Sequence, residues 1–262
     1  MSAVALQAYT SSKLLNRLPT SELQRLLPHF ETIPLTRNKV LFEARDEIKN
    51  VYFPLGGLVS LLGTTRTGEI TGIALVGNDG MIGVPLVLRT GVMPYQVVVQ
   101  IPGESVRINA EVFKRELKLN EEFEDRLLKY SNTLLDHLGQ SRICNQFHSI
   151  EARFCSELLI SRALVGSDTL VLTQEIISHM LGAPRTGITK AANDLRDAGI
   201  IRYRRGKITV SNHEAMERLA CECYRMVKPE LNHIAANAHG HHPASLADPD
   251  RVILRQSKSQ TE

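Results

Sequence analysis

The first 143 residues contain no cysteine, and residues 30 to 136 contain no histidine. The stretch from 30 to 136 therefore offers neither thiolate nor imidazole to a metal ion or haem iron. The four cysteines, Cys144, Cys155, Cys221 and Cys223, are too few for a disulfide scaffold. Free thiols in a reducing compartment are expected. No run approaches the roughly 18 apolar residues of a membrane span; the longest candidates, such as MIGVPLVL (81–88), are strand-sized. The start, MSAVALQAYT, lacks a basic region ahead of an apolar core, so no secretion signal and a cytoplasmic location are expected. Neither a Ser/His/Asp set nor a glycine-rich phosphate loop is present, and no catalytic residue, cofactor or metal site is assigned.

What is present fits a folded regulator or binding protein. The 262 residues suffice for two domains, at 43% hydrophobic and 23% charged content. Net charge is only +3, but it is unevenly placed. Residues 172–210 hold seven Lys/Arg against three acids, a local +4, so the remainder sums to about −1.

Residues 12–29 read as short helices, with Thr20 or Ser21 as a cap ahead of Glu22. From Ile33 to about Val112, short β-branched stretches alternate with turn clusters such as Gly56-Gly57, Asn78-Asp79-Gly80 and Pro102-Gly103. That spacing predicts an antiparallel sandwich or barrel. Residues 111–147 then read as one long helix, with Phe123, Leu127, Leu134 and Leu138 on a near-heptad seam interrupted by Ser131. The seam fits either packing against its own domain or a dimer. Residues 150–165 predict another helix, capped by Ser149. The expected domains are 1–115, 116–148, 149–230 and a disordered tail, 231–262.

The basic region has a definite order. LTQEIISHML (172–181) predicts a short helix capped by Thr173. LGAP (181–184) follows as a tight turn, in which Gly182 can take φ > 0. RTGITKAANDL (185–195) buries Ile188, Ala191, Ala192 and Leu195 on one face. Its other face presents Arg185, Thr186, Thr189, Lys190 and Asn193, and Gly199 closes the helix. IIRYRRGKITV (200–210) predicts a hairpin about Arg205-Gly206, with Arg202, Arg204 and Lys207 outward. A helix-turn-helix followed by a basic hairpin is a winged helix, whose cations neutralise phosphates while a polar helix face enters the major groove.

From about residue 12 to 225 the chain resembles the Crp/Fnr family of bacterial transcription regulators. The resemblance implies an α+β chain: a jelly-roll-like, cyclic-nucleotide-binding-type β-roll, a long dimerisation helix and a C-terminal winged helix. Implied partners are double-stranded promoter DNA, a second copy of the chain, RNA polymerase and an unidentified small-molecule effector, with no membrane. LTQEIISHMLGAPRTGITKAANDLRDAGII (172–201) aligns with the family's helix-turn-helix without gaps. By that match Thr173 contacts the DNA backbone, and Arg185, Thr186 and Lys190 fall at reading positions. Thr189, Arg204, Arg205 and Lys207 complete the expected interface. Thr186 stands where the cyclic-AMP receptor type has glutamate, and Lys190 where it has arginine. The palindromic site read should therefore differ from that type's.

The family's nucleotide-phosphate segment corresponds to NDGMIGVPLVLRTGVMPYQVVV (78–99). Gly83 is kept, but Val84 replaces a ribose-binding glutamate and Pro94 replaces a phosphate-binding arginine. Valine cannot accept from a hydroxyl, and proline neither pairs with a phosphate nor donates an N–H. Tight cyclic-AMP or cyclic-GMP binding is not expected. The candidate effector segment is Gly83, Val84, Arg89, Pro94 and Tyr95, with Arg89 the nearby cation. The family's N-terminal iron–sulfur cysteines are absent. Cys221 and Cys223 are expected to point to different faces of a helix, and His239, His241 and His242 form a tail cluster of incidental metal affinity.

Two other readings stand beside this one. A cupin-like metal enzyme lacks its usual histidines; an effector- or partner-binding β-roll protein would make DNA contact secondary. In the expected mechanism, effector contact with the roll shifts packing on the 111–147 helix and so the spacing of two reading helices, with a hinge near QFHSI (146–150).

Overall fold

The computed structural model describes Tyr9 and residues 11–226 of the chain. The expected tail, with His239, His241 and His242, lies outside them. Among the described residues no helix is long and apolar enough to cross a membrane.

Helix α1 (Thr20–Leu26) leads into strand β1 (Glu31–Leu35), which begins before the first strand expected from the sequence. Pro19, not Thr20 or Ser21, holds the N-cap, and no side chain caps it. Proline's fixed φ suits a helix start, so Thr20 becomes the first helical residue. Strands β2 (Val40–Phe42), β3 (Asn50–Pro54), β4 (Leu58–Thr64), β5 (Ile70–Val76), β6 (Gln96–Ile101) and β7 (Gly103–Asn109) complete the roll. They form two antiparallel sheets, ordered β1-β7-β3 and β2-β6-β4-β5. Between β5 and β6 lies helix α2 (Val84–Val87). The apolar run MIGVPLVL is thus helical at its centre: Gly83 enters with φ 118° and Pro85 occupies the first turn, where a missing N–H costs nothing.

The long helix expected over 111–147 is two. Helix α3 (Ala110–Leu119) stops at Asn120, whose extended backbone and side-chain bond from the Phe123 N–H start helix α4 (Glu121–Phe147). Glu121, Glu122 and Glu124 then sit at the positive end of the new helix dipole. Phe123, Leu127, Tyr130 and Ser131 of α4 are buried in the roll's own core, where Phe113, Phe123 and Phe53 pack ring to ring. The Phe123–Leu127 end of the seam therefore faces inward. A different stripe is exposed: Leu128 (43%), Leu135 (56%), Ile143 (49%) and Phe147 (75%).

His148 and Ser149 are both extended, so helicity breaks there. Ser149 caps helix α5 (Ile150–Val165), accepting from the Ala152 N–H as expected. Strand β8 (Thr169–Leu170), helix α6 (Gln174–Leu181), helix α7 (Arg185–Asp197), strands β9 (Ile201–Arg204) and β10 (Lys207–Val210) and helix α8 (His213–Leu219) follow. The third sheet runs β8-β10-β9; β8, too short to show alternation, was not anticipated.

The roll and this second unit share apolar surface. Leu58 and Ile101 of the roll are buried in the same cluster as Phe154, Leu158 and Ile188. Gly72 of β5 lies so close to α6 that an added Cβ would stand 2.6 Å from the Met180 carbonyl oxygen. Only glycine permits that approach.

Candidate nucleic-acid interface

Thr173 caps α6, its hydroxyl accepting from the Ile176 N–H. Gly182 closes α6 at φ 54°, and the Ser178 hydroxyl donates to the Ala183 carbonyl across the turn. Pro184 then starts α7, whose Ile188, Ala191, Ala192 and Leu195 are all buried. Its capping ends at Gly199, φ 70°, with the Ile200 N–H returning to the Leu195 carbonyl. Apolar residues at helical spacing anchor α7, so its opposite face must look outward.

On that face Arg185, Thr186 and Lys190 are exposed. Lys190 reaches Asp194 at 2.7 Å, an exposed i,i+4 pair that raises its pKa. Thr189 is half-buried, its hydroxyl within 2.8 Å of Gln174 Oε1 and 2.9 Å of the Arg185 carbonyl. One hydroxyl proton can serve only one acceptor at a time. Thr189 therefore braces α7 against α6, whereas the sequence placed it on the outward face.

In the wing, Arg204 pairs with Lys207 around Arg205-Gly206, with φ of 49° and 74°. Two positive φ values make a type I′ turn, the geometry that suits a two-residue hairpin. Ile201, Ile208 and Val210 are buried, which leaves Arg202, Arg204, Arg205 and Lys207 exposed. The wing tip lies beside the start of α6: a Cβ built at Gly206 would be 3.5 Å from Thr173 Cγ2. The wing tip and the α6 cap are thus neighbours, and α7 is tied to α6 by the Thr189–Gln174 bond. Arg153 of α5 supports it from behind, its buried guanidinium donating to the Leu181 carbonyl at the negative end of α6.

The candidate effector segment is arranged differently. Gly83 is buried, Val84 and Tyr95 are half-buried, and Pro94 is exposed. Arg89, at φ 63°, pairs with Glu124 of α4 at 2.5 Å. It lines a pocket of about 430 Å³ with Lys114, Arg115 and Lys118 of α3. None of these five residues lines the cavity of about 140 Å³ at the joint between the two units. That cavity touches β5, α4, α5 and the end of α6, and its polar groups include Asp79, His137, Arg153 and Glu157. Burial pushes the Glu157 carboxyl up to about 7 against the opposing pull of Arg153. Burial likewise raises Asp79, opposed by Lys13 and His137.

Cys221 and Cys223 do not diverge as expected. Residues 222–226 are helical and Cys221 precedes them, so the two side chains do not follow a 200° helical offset. Their sulfurs converge with Cys144 and His148, all four donor atoms lying within 4.8 Å of one another. The sequence held half a signal, Cys144 and His148 at i,i+4 across a helix end.

A cyclic nucleotide-binding domain matches residues 32–120, and a Crp-like helix-turn-helix domain matches residues 141–219. No curated protein matches the chain. Among solved structures, a CRP-family transcriptional regulator from Thermus thermophilus is similar, with 16% identity and a TM-score of 0.61 over 72% of this chain and 96% of that one. FixK2 from Bradyrhizobium japonicum gives 14% and 0.62 over 73% and 98%. The c-di-GMP-responsive global regulator CLP of Xanthomonas campestris gives 13% and 0.58 over 73% and 99%. At such identities the structures establish the fold. The two domain matches together span well over half of the 262 residues. With its β-roll, long helix and winged helix in that order, the chain belongs to the Crp/Fnr family of transcriptional regulators.

Proposed function

We propose that the chain is a sequence-specific DNA-binding regulator that grips a palindromic site as a homodimer and does not answer to cyclic AMP or cyclic GMP. One observation carries the reading. Arg185, Thr186 and Lys190 of the reading helix and Arg204, Arg205 and Lys207 of the wing are all exposed, beside the Thr173 cap. A helix face of that chemistry fits the ~12 Å major groove, and the wing's cations suit the flanking phosphates. The exposed stripe of Leu128, Leu135, Ile143 and Phe147 on α4 supports a second copy there.

Val84 and Pro94 argue against a cyclic nucleotide, and Arg89 is already engaged by Glu124. The cavity at the joint is the effector's place in this reading, because a ligand there touches roll, long helix and winged helix together. Its volume of about 140 Å³ is comparable to the ~150 Å³ cavity that holds benzene, which favours a small compound.

The test is a gel shift with salt titration on a selected palindrome and a scrambled duplex. Affinity should fall steeply with salt as counterions are displaced. Arg185→Ala should cost about 1–3 kcal/mol on the palindrome alone, and Lys207→Ala should weaken both duplexes and reduce the salt slope by about 1. Equal losses on both duplexes for Arg185→Ala would remove it as a base reader. A flat salt response would favour a roll that docks some other partner.

A further inference from the structure

We propose that Cys144, His148, Cys221 and Cys223 form a four-ligand zinc site that fastens the end of the long helix to the far end of the winged-helix unit. Cys144 lies in the last turn of α4, and His148 is its C-cap, one helical turn on. Cys221 and Cys223 follow α8, the last of the labelled helices. The chain therefore brings the donors from two places 77 residues apart.

The dimensions suit a tetrahedral ion. Zinc–sulfur bonds of ~2.3 Å and zinc–nitrogen bonds of ~2.0–2.1 Å place neighbouring donors about 3.5–3.8 Å apart. Cys144 Sγ is 3.4 Å from Cys221 Sγ, and Cys223 Sγ is 3.4 Å from His148 Nδ1. No donor pair exceeds 4.8 Å, so shifts of about an ångström close the shell.

The surroundings treat the donors as ligands are treated. Gln140 Nε2 donates to Cys223 Sγ at 2.9 Å, and the Ser156 hydroxyl lies 3.0 Å from Cys221 Sγ. The Gln140 amide favours negative charge on Cys223 Sγ, while the Ser156 hydroxyl has one proton to share between Cys221 Sγ and the Ala152 carbonyl, 2.9 Å away. The Cys221 N–H holds Ser156 Oγ at 3.2 Å, fixing that hydroxyl. His148 turns Nδ1 to the sulfurs, and its Nε2 is 3.8 Å from a Glu222 carboxylate oxygen. That is longer than a hydrogen bond, but it leaves a carboxylate on the side of the ring away from the sulfurs, where a partner at bonding distance would orient a ligating imidazole. Three thiols with one imidazole select a borderline-soft ion over calcium or magnesium, and four protein donors make a closed, structural shell. Each bound thiol gives up its proton to solvent, and no electron moves.

The experiment uses the full chain carrying His239→Ala, His241→Ala and His242→Ala, so that tail histidines cannot carry the metal. Elemental analysis of the purified protein should find about one zinc per chain. Cys223→Ser and His148→Ala should each lose most of it, and Cys155→Ser, the cysteine outside the set, should keep it. Cobalt(II) added to the zinc-free parent should give thiolate-to-metal charge transfer and the intense bands of a tetrahedral site. This readout does not depend on the variants folding. Absence of zinc together with no such cobalt spectrum would overturn the site, as would full zinc retention by a folded Cys223→Ser variant. A Cys144–Cys221 disulfide in protein purified anaerobically would overturn it too.

Discussion

Glu157 lines the joint cavity, where burial holds its carboxyl near 7 rather than the ordinary 4.5. Between those values the folded chain keeps a proton that the unfolded chain has released. Its contribution is therefore fully present below about 4.5 and is lost as pH rises through about 7. Glu157→Gln should flatten the fall in Tm across that window and melt above the parent at pH 8, by about 2–4 °C per kcal/mol recovered. Calorimetry at several pH values reads this directly, and parallel curves for the two proteins would refute it. Glu157 could not be singled out from the sequence, because its surroundings come from β5, α4 and α6. Thr189 teaches the same lesson in reverse. It sits on the polar face by helical spacing, yet Gln174 draws its hydroxyl inward.

Between the roll and the winged-helix unit, β5 and α6 make the most extensive contact. The contact rests on Gly72, against the Met180 backbone, and on Thr71, close beneath Gly182. A side chain at Gly72 has backbone in its way, which cannot swing aside as a side chain can. Gly72→Val should cost about 1–3 kcal/mol of overpacking and loosen the roll from the winged helix. Limited proteolysis should then cut faster near His148–Ser149, and DNA affinity should change several-fold with every reading residue intact. Gly91→Ala, with nothing within 4 Å of its added Cβ, is the control. If the Gly72 variant matches the control in both assays, the dock is not the coupling between the units. The helices that meet here were readable one at a time. Thr173, Gly182, Ser149 and Gly199 mark their ends through local hydrogen bonds and φ. The break at Asn120 was missed because helical patterning continues on both sides of it; its local mark is an asparagine ahead of Glu121, Glu122 and Glu124. Strand β8 and the contact of β5 with α6 have no local signature, since each depends on a partner distant in sequence.

For the whole molecule, the proposed dimer rests on the exposed stripe on α4. Leu128, Leu135, Ile143 and Phe147 are exposed, whereas Phe123 and Leu127 are spent on the roll's core. A carboxylate in the middle of an apolar seam has no partner and must be desolvated. Leu135→Glu should give a monomer in analytical ultracentrifugation. Two half-sites one turn apart, ~34 Å, are bound together only by a dimer. Affinity for the palindrome should accordingly fall about tenfold or more, with single half-site binding spared. A dimeric Leu135→Glu protein would move the interface elsewhere.

By itself the sequence determined most of the helices, the strand-rich character of the roll, where the cationic region lies and that residues 30–136 carry no imidazole or thiolate. Periodicity, caps and residue supply are local properties, and they are written in order along the chain. Only the tertiary structure decided which face of the long helix stays bare, which hydroxyl is used internally, and that Cys221 and Cys223 meet Cys144 and His148. Those outcomes depend on what packs opposite each residue, and packing joins positions whose separation along the chain carries no periodic trace.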